Sequence, residues 1–277
     1  MRHKIRLVQT EKELEEYGFI MMDLIIDDNH TDRRLLFKLK DDRLYFIDVV
    51  STRFVLLPHR LVKEIADEIT ENHGLTLFKH YYTGSADEIQ YLWYINMKEK
   101  MYLAGDEHYA GVMIRSAENN RSSIFVCGLI IRNVGENGLA VPYNSTRMIH
   151  VLSQSLLRGS LEEKLDDAIR IAMIASKEVA RHIDLSQKVP VTEEMIKKLR
   201  VSLSNGGRNG HGSSIPFRIL KNDFIVYDDG EIFVMPDHSL YDLYCRVTEY
   251  ATMVRRPYYF ERITSRLCEL IVKNTNK

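Results

Sequence analysis

The stretch IFVCGLIIRNV, Ile124 to Val134, decides how this chain folds. Side chains of an extended strand point alternately to opposite faces, so a strand with one wet face alternates apolar and polar residues. Here the apolar residues fall on both faces, and they are rich in the β-branched and aromatic types that suit a pleated surface. The run therefore predicts a central strand covered on both sides.

Its neighbours have the same character. LTLFKHYYT (from Leu75), EIQYLWYINM (from Glu88) and AGVMIRS (from Ala110) are dense in strand formers, and turn clusters such as ENNR and GENG separate such runs. Nearer the N-terminus, Thr10 with Glu13 has capping-box spacing for a short helix, and FIMMDLII (Phe19 to Ile26) predicts a buried strand. DDNHTD turns the chain, and RLLFKLKDDRLYFIDVV predicts a hairpin turning at Asp41-Asp42. Pro58 suits a first helical turn, Leu61, Val62, Ile65, Ala66 and Ile69 follow at helical spacing, and Gly74 can end that helix.

Helices dominate the remainder. Ser160 with Glu163 has capping-box spacing, and Leu161 to Ile183 carries an apolar stripe. Thr192 can cap a helix running to about Leu203. DFIVYDDGEIFVM is a hairpin with an Asp-Gly turn. Ser239 with Asp242 starts a helix that runs to about Arg256, Pro257 interrupts, and a last helix follows. The expectation is an α+β fold: a mixed, mainly antiparallel sheet flanked by amphipathic helices, with a helix-rich C-terminal part. It spans 1–277 as a single domain, with a subdivision point near 153–160.

Composition narrows the function classes. The 277 residues are 45% hydrophobic and 28% charged, so the chain can bury a sizeable core and does not have the composition of a disordered protein. A formal net charge of -1 favours no class of partner, so a nucleic-acid surface would have to come from local asymmetry. Cys127, Cys245 and Cys268 are widely spaced in apolar surroundings and make neither a disulfide framework nor a zinc pair. The start MRHKIRLVQTEKELEE is too charged for a signal peptide, and no apolar stretch approaches the ~18 residues of a membrane span. These features predict an intracellular protein without a membrane partner. Abundant Ile, Arg and Glu point weakly to a thermophilic source, against which the eleven methionines pull.

The segment SNGGRNGHGSS, Ser204 to Ser214, is the one departure from ordinary globular composition. A phosphate-binding P-loop needs a lysine after its last glycine and a strand before it; here Ser213 holds the lysine's place and a helix precedes. The dinucleotide pattern lacks its third glycine. Nucleotide binding is excluded on these grounds, and a mobile surface connection is the simplest expectation. Lys197, Lys198, Arg200, Arg208, Arg218 and Lys221 lie between Lys197 and Asn222 without an acidic residue. They form a candidate contact for the phosphates of DNA or RNA.

Other clusters yield no chemistry. DDNHTD lacks the alternating acids, central glycine and distal glutamate of a calcium loop. The histidines show neither HExxH nor zinc-finger spacing, no GxSxG elbow is present, and Cys127 sits in a strand core. No metal and no cofactor is expected. Tyr81, Tyr82, Tyr91, Trp93 and Tyr94 can stack bases on a sheet, although such residues are more often core. Arg115 and Arg132 on adjacent strands would add positive charge there. Glu249 is expected to be held by Arg246 or Arg256 in a structural role.

Three stretches bear on the setting. They are YLAGDEHYAGVMIRSAENNRSSIFVCGLIIRNVGENGLAVP (Tyr102 to Pro142), EEKLDDAIRIAMIASKEVARHIDLSQKVPVTEEMIKKL, and SLYDLYCRVTEYAT. In order and spacing they resemble the uncharacterised "phage/plasmid-like" protein family found in phages, plasmids and archaeal viruses. Gly105, Asp106, Asn137, Gly138, Val247, Thr248, Glu249 and Tyr250 match its motifs, while the turn SAENNRSS, Cys127 and Cys245-Arg246 depart from them. The family brings no established activity and no catalytic residue. The resemblance implies a mobile-element protein, in host cytoplasm or virion. The first expectation is a non-enzymatic accessory protein binding nucleic acid through the basic segment. The alternative is a structural or protein-interaction protein that forms a homo-oligomer.

Overall fold

The computed structural model describes residues 5–10, 12–52, 54, 56–83, 89–118, 124–134, 137–142, 148–149, 158–204, 220, 224–228, 231–234, 238–253 and 257–276. Among these, two antiparallel sheets, a small hairpin and five α-helices make an α+β fold whose C-terminal part is helical.

The chain opens with β1 (Ile5–Thr10), a short 3-10 helix (Lys12–Tyr17), β2 (Phe19–Ile26), β3 (Asn29–Lys40) and β4 (Arg43–Ser51), which form a sheet in the order β1-β2-β3-β4. Both tight turns use aspartate pairs with positive φ: Asp27 and Asp28 (50° and 63°), Asp41 and Asp42 (51° and 58°). That is the backbone of a two-residue hairpin turn whose twist matches its strands, and aspartate tolerates it. The first turn is these two residues alone; the rest of DDNHTD is already strand β3. The short helix expected after Thr10 is the 3-10 helix Lys12–Tyr17, and the residues before it form β1.

Helix α1 (His59–Asn72) starts after Pro58, and Gly74 (φ 70°) ends it. Strands β5 (Thr76–Thr83), β6 (Ile89–Leu103), β7 (Asp106–Ala117), β8 (Ile124–Arg132), β9 (Asn137–Val141) and the short β10 (Met148–Ile149) build the large sheet. Its order is β10-β8-β7-β6-β5, with β9 also on β8. Next come α2 (Arg158–Ser186), α3 (Glu193–Ser204), the hairpin β11 (Ile225–Asp228)–β12 (Glu231–Val234), α4 (Leu240–Met253) and α5 (Pro257–Thr275).

Strand β8 is the covered central strand the sequence predicts, buried from Ile124 through Ile131. One core gathers Val62, Ile65 and Ile69 of α1 and Leu161, Leu165 and Ile169 of α2 against Leu92, Val112 and Val126. The other packs Leu243, Val247, Phe260 and Leu267 of α4 and α5 against Trp93, Met113, Cys127 and Leu139. The crossing of α2 over β8 is close enough that a Cβ on Gly128 would lie 2.4 Å from Ser176 Oγ and 2.8 Å from the Ala172 carbonyl oxygen. Ser176 is buried, accepts the Leu129 N–H at 3.0 Å and lies 3.0 Å from the Gly111 carbonyl, which ties the helix to the sheet.

The caps are as expected at Thr192, which accepts the Met195 N–H (3.4 Å), and at Ser239. The Ser239 hydroxyl accepts the Asp242 N–H (3.2 Å), and the Asp242 carboxylate accepts the Ser239 N–H (2.7 Å). Ser160 is not a cap, because α2 begins at Arg158 and Ser160 lies inside its first turn.

Candidate interaction surface

Of the basic residues proposed as a phosphate contact, Lys197 and Lys198 are on the outer face of α3, whose inner face is Met195, Ile196 and Leu199. Each cation is paired one turn back: Lys197 with Glu193 at 2.9 Å, and Lys198 with Glu194. Arg200 is placed on α3 by its backbone. Arg208, Arg218 and Lys221, like the glycine-rich stretch after Ser204, lie outside the described residues. The acids that precede the basic run thus offset the charge its first two lysines contribute.

The other expected cations are also occupied. Arg115 is buried and grips Glu261 of α5 with both carboxylate oxygens (2.9 and 2.7 Å), with its guanidinium over the Phe125 ring. Arg132 donates to Asp106 at 2.8 Å, and the Tyr241 hydroxyl donates to the same oxygen at 2.6 Å. Burial alone would raise the Asp106 carboxyl, but Tyr241 and Arg132 outweigh it and hold it below the usual range. These side chains are internal ties and add no surface potential to the sheet. Tyr91, Trp93 and Tyr94 are buried core, and only Tyr82 of the aromatic set is exposed. Glu249 pairs with Arg246 at 3.2 Å, both about two-fifths exposed, so the pair is a weak surface contact.

One polar cluster holds nucleophile, base and acid types together. His59 Nδ1 shares a hydrogen bond with Ser116 Oγ at 2.9 Å, and His59 Nε2 is 3.9 Å from Glu118. All three are buried. Glu118 already accepts the His59 N–H at the start of α1 (2.7 Å) and Lys38 Nζ from β3 (2.9 Å). A carboxylate at a helix N-terminus is favourable for the helix dipole. The cluster is a clamp joining β7, α1 and the N-terminal sheet, and its serine is sealed from substrate.

A surface cleft of about 290 Å³ between α1, β6 and α2 is lined by His73, Asn96, Glu99, Arg170 and Lys177. Its charges pair locally: Lys177 with Glu99 at 2.7 Å, His73 with Asp166 at 2.7 Å, Arg170 with Asp167 at 2.8 Å. Among the described residues no group of three or more His, Cys, Asp or Glu is arranged to hold a metal ion, and no helix is long and apolar enough to cross a membrane.

What sequence reading missed lies in the N-terminal sheet. FIMMDLII is the expected strand, and among the described residues its packed side is the one that forms a core: Phe19 and Met21 join Leu36, Val50 and Leu56, and Ile25 is buried on the same side. Directly paired residues share a face, so the pairing register maps the other one. One row runs Met22, Leu35, Val49; the next runs Ile20, Phe37, Phe46; Leu39 pairs with Leu44 at one end and Leu7 with Leu24 at the other. All are apolar. Phe37 and Phe46 meet edge to face, with centroids 5.9 Å apart. Lys38, Lys40, Arg34 and Asp48 fall on the opposite, packed side. Phe46 is 57% exposed, Leu44 46% and Val49 42%. Among the described residues no α-helix makes an extensive contact with β1–β4.

The pattern is inverted relative to a surface sheet, which puts its charges outward. Scattered exposed apolar residues need no explanation, whereas a contiguous patch marks a contact surface. Comparison with protein-family models, with curated proteins and with solved structures finds no match.

Proposed function

We propose that this chain is a non-enzymatic accessory protein of a mobile genetic element that works by binding protein through the open face of β1–β4. The observation that carries the reading is the uncharged apolar surface built from the Met22–Leu35–Val49 and Ile20–Phe37–Phe46 rows. The mobile-element setting rests on the resemblance of the Tyr102–Pro142, α2–α3 and α4 stretches to the phage/plasmid-like family.

Binding of DNA or RNA through Lys197, Lys198, Arg200, Arg208, Arg218 and Lys221 is the second reading. Its support is the run from Lys197 to Asn222 without an acid. The Glu193 and Glu194 pairings weaken it.

The test replaces Leu44, Phe46 and Val49 together by threonine, which keeps strand propensity and removes the apolar surface. The wild-type protein should either bury this face in an assembly or, as a monomer, bind the dye ANS. The triple variant should do neither while keeping the wild-type circular dichroism spectrum. A monomeric wild type that leaves the dye dark contradicts the reading. A gel shift on single- and double-stranded probes at low salt that fades as salt rises would favour nucleic acid instead.

A further inference from the structure

We propose that the occupant of the open face is a second copy of this chain, the two N-terminal sheets stacking face to face about a two-fold axis. The inference rests on the reading of this face as a contact surface and adds the identity of the partner.

Size is the first argument. Four strands about 4.8 Å apart and roughly seven residues long at about 3.3 Å each outline a patch near 19 by 23 Å. Its plan area is on the order of 450 Å², and interdigitating side chains hide more than the plan, toward the ~800 Å² per partner of a stable dimer. One sheet face is therefore matched by one further sheet face.

Charge is the second. A peptide, nucleic acid or other charged partner needs complementary charge, and the rows offer none. Lys38, Lys40 and Arg43 point to the other side of the sheet, so the apolar centres of two copies meet without like charges. Arg33 sits at the rim, beside Asp32 at 3.5 Å, where a polar border belongs. The chain's net charge of -1 sets up no long-range repulsion between copies.

Shape is the third. A face with an apolar centre and a polar border is complementary to itself, which suits an isologous two-fold contact. Two sheets with ordinary twist pack about 10 Å apart with their strands inclined by about 30°. The large rings of Phe37 and Phe46 alternate with the smaller Leu35 and Val49, giving ridges and hollows that interdigitate.

Sedimentation equilibrium at about 10 μM tests the assignment. The wild type should have twice the 32.4 kDa mass of one chain, and Phe46→Lys, on the outer strand, should have the single-chain mass with an unchanged circular dichroism spectrum. Val49→Thr is the milder companion should the lysine variant misfold, and it should raise the dissociation constant at least about tenfold. A wild-type monomer overturns the proposal, as does a dimer that Phe46→Lys and Val49→Thr leave intact. For a monomer, ANS separates the two claims: bright dye leaves the face as a contact surface for another protein, and dark dye removes both.

Discussion

Glu118 joins three elements, and its removal should be costly in a way that depends on chemistry more than on size. The carboxylate is buried, accepts the His59 N–H at 2.7 Å at the start of α1, and takes Lys38 Nζ at 2.9 Å from the N-terminal sheet. Glu118→Ala strands a buried backbone donor, worth about 1–3 kcal/mol. It also deletes an anion at a helix N-terminus, about 0.3–1 kcal/mol. The Lys38 side chain is 34% exposed, so its loss adds no more than about 1 kcal/mol. The sum is about 1–5 kcal/mol, or a fall in Tm of roughly 3–20 °C for a chain of this size. Glu118→Gln keeps an acceptor for the His59 N–H and should lose only about 1 kcal/mol. Differential scanning calorimetry at fixed protein concentration measures both. An alanine variant that melts within about 1 °C of wild type, or a glutamine variant that costs as much as alanine, would refute this role for the carboxylate.

Gly128→Ala should destabilise by about 1–3 kcal/mol or more, read from urea unfolding, because the new methyl meets the backbone of α2 at Ala172 as well as Ser176 Oγ. Burial raises all three thiols: Cys127 well above its ordinary value, Cys245 to about 11 and Cys268 to about 12. Ellman's reagent near pH 8 should therefore leave the native protein unlabelled for minutes and label every cysteine in guanidinium chloride. Burial also holds His108 below its ordinary value, so the folded chain takes up a proton there less readily than the unfolded chain, which does so below about pH 6.5. The unfolded state then binds more protons, and stability falls as pH drops through that window. Urea midpoints between pH 7 and 5 should show the fall, and His108→Phe should flatten it.

Local chemistry carried much of the fold into the sequence. Aspartate pairs wrote the turns at 27–28 and 41–42, and Thr192 and Ser239 wrote two helix starts. The two-sided apolar run of β8 reported its own burial. Strand β1 escaped because IRLVQT alternates only weakly and sits among charges. The start of α2 escaped because capping spacing at Ser160 recurs by chance inside helices. The apolar run of β2 does not show which of its faces its own chain covers, because a face covered by another molecule carries the same residues as one covered by its own helix. Only the register, which brings Ile20, Phe37 and Phe46 side by side, shows that half of this run faces outward. The ties of Asp106 to Tyr241 and Arg115 to Glu261 join residues more than a hundred positions apart, a distance no local pattern spans.

Hydroxyl-radical footprinting across protein concentration tests the central claim most directly, because it reads the accessibility of the face itself. Phe46, 57% exposed, and the half-buried Met22 and Phe37 should lose reactivity together as concentration rises, while Tyr102, 70% exposed on β6, keeps its rate. Rates at Met22, Phe37 and Phe46 that stay as constant as that of Tyr102 while concentration rises would contradict the account.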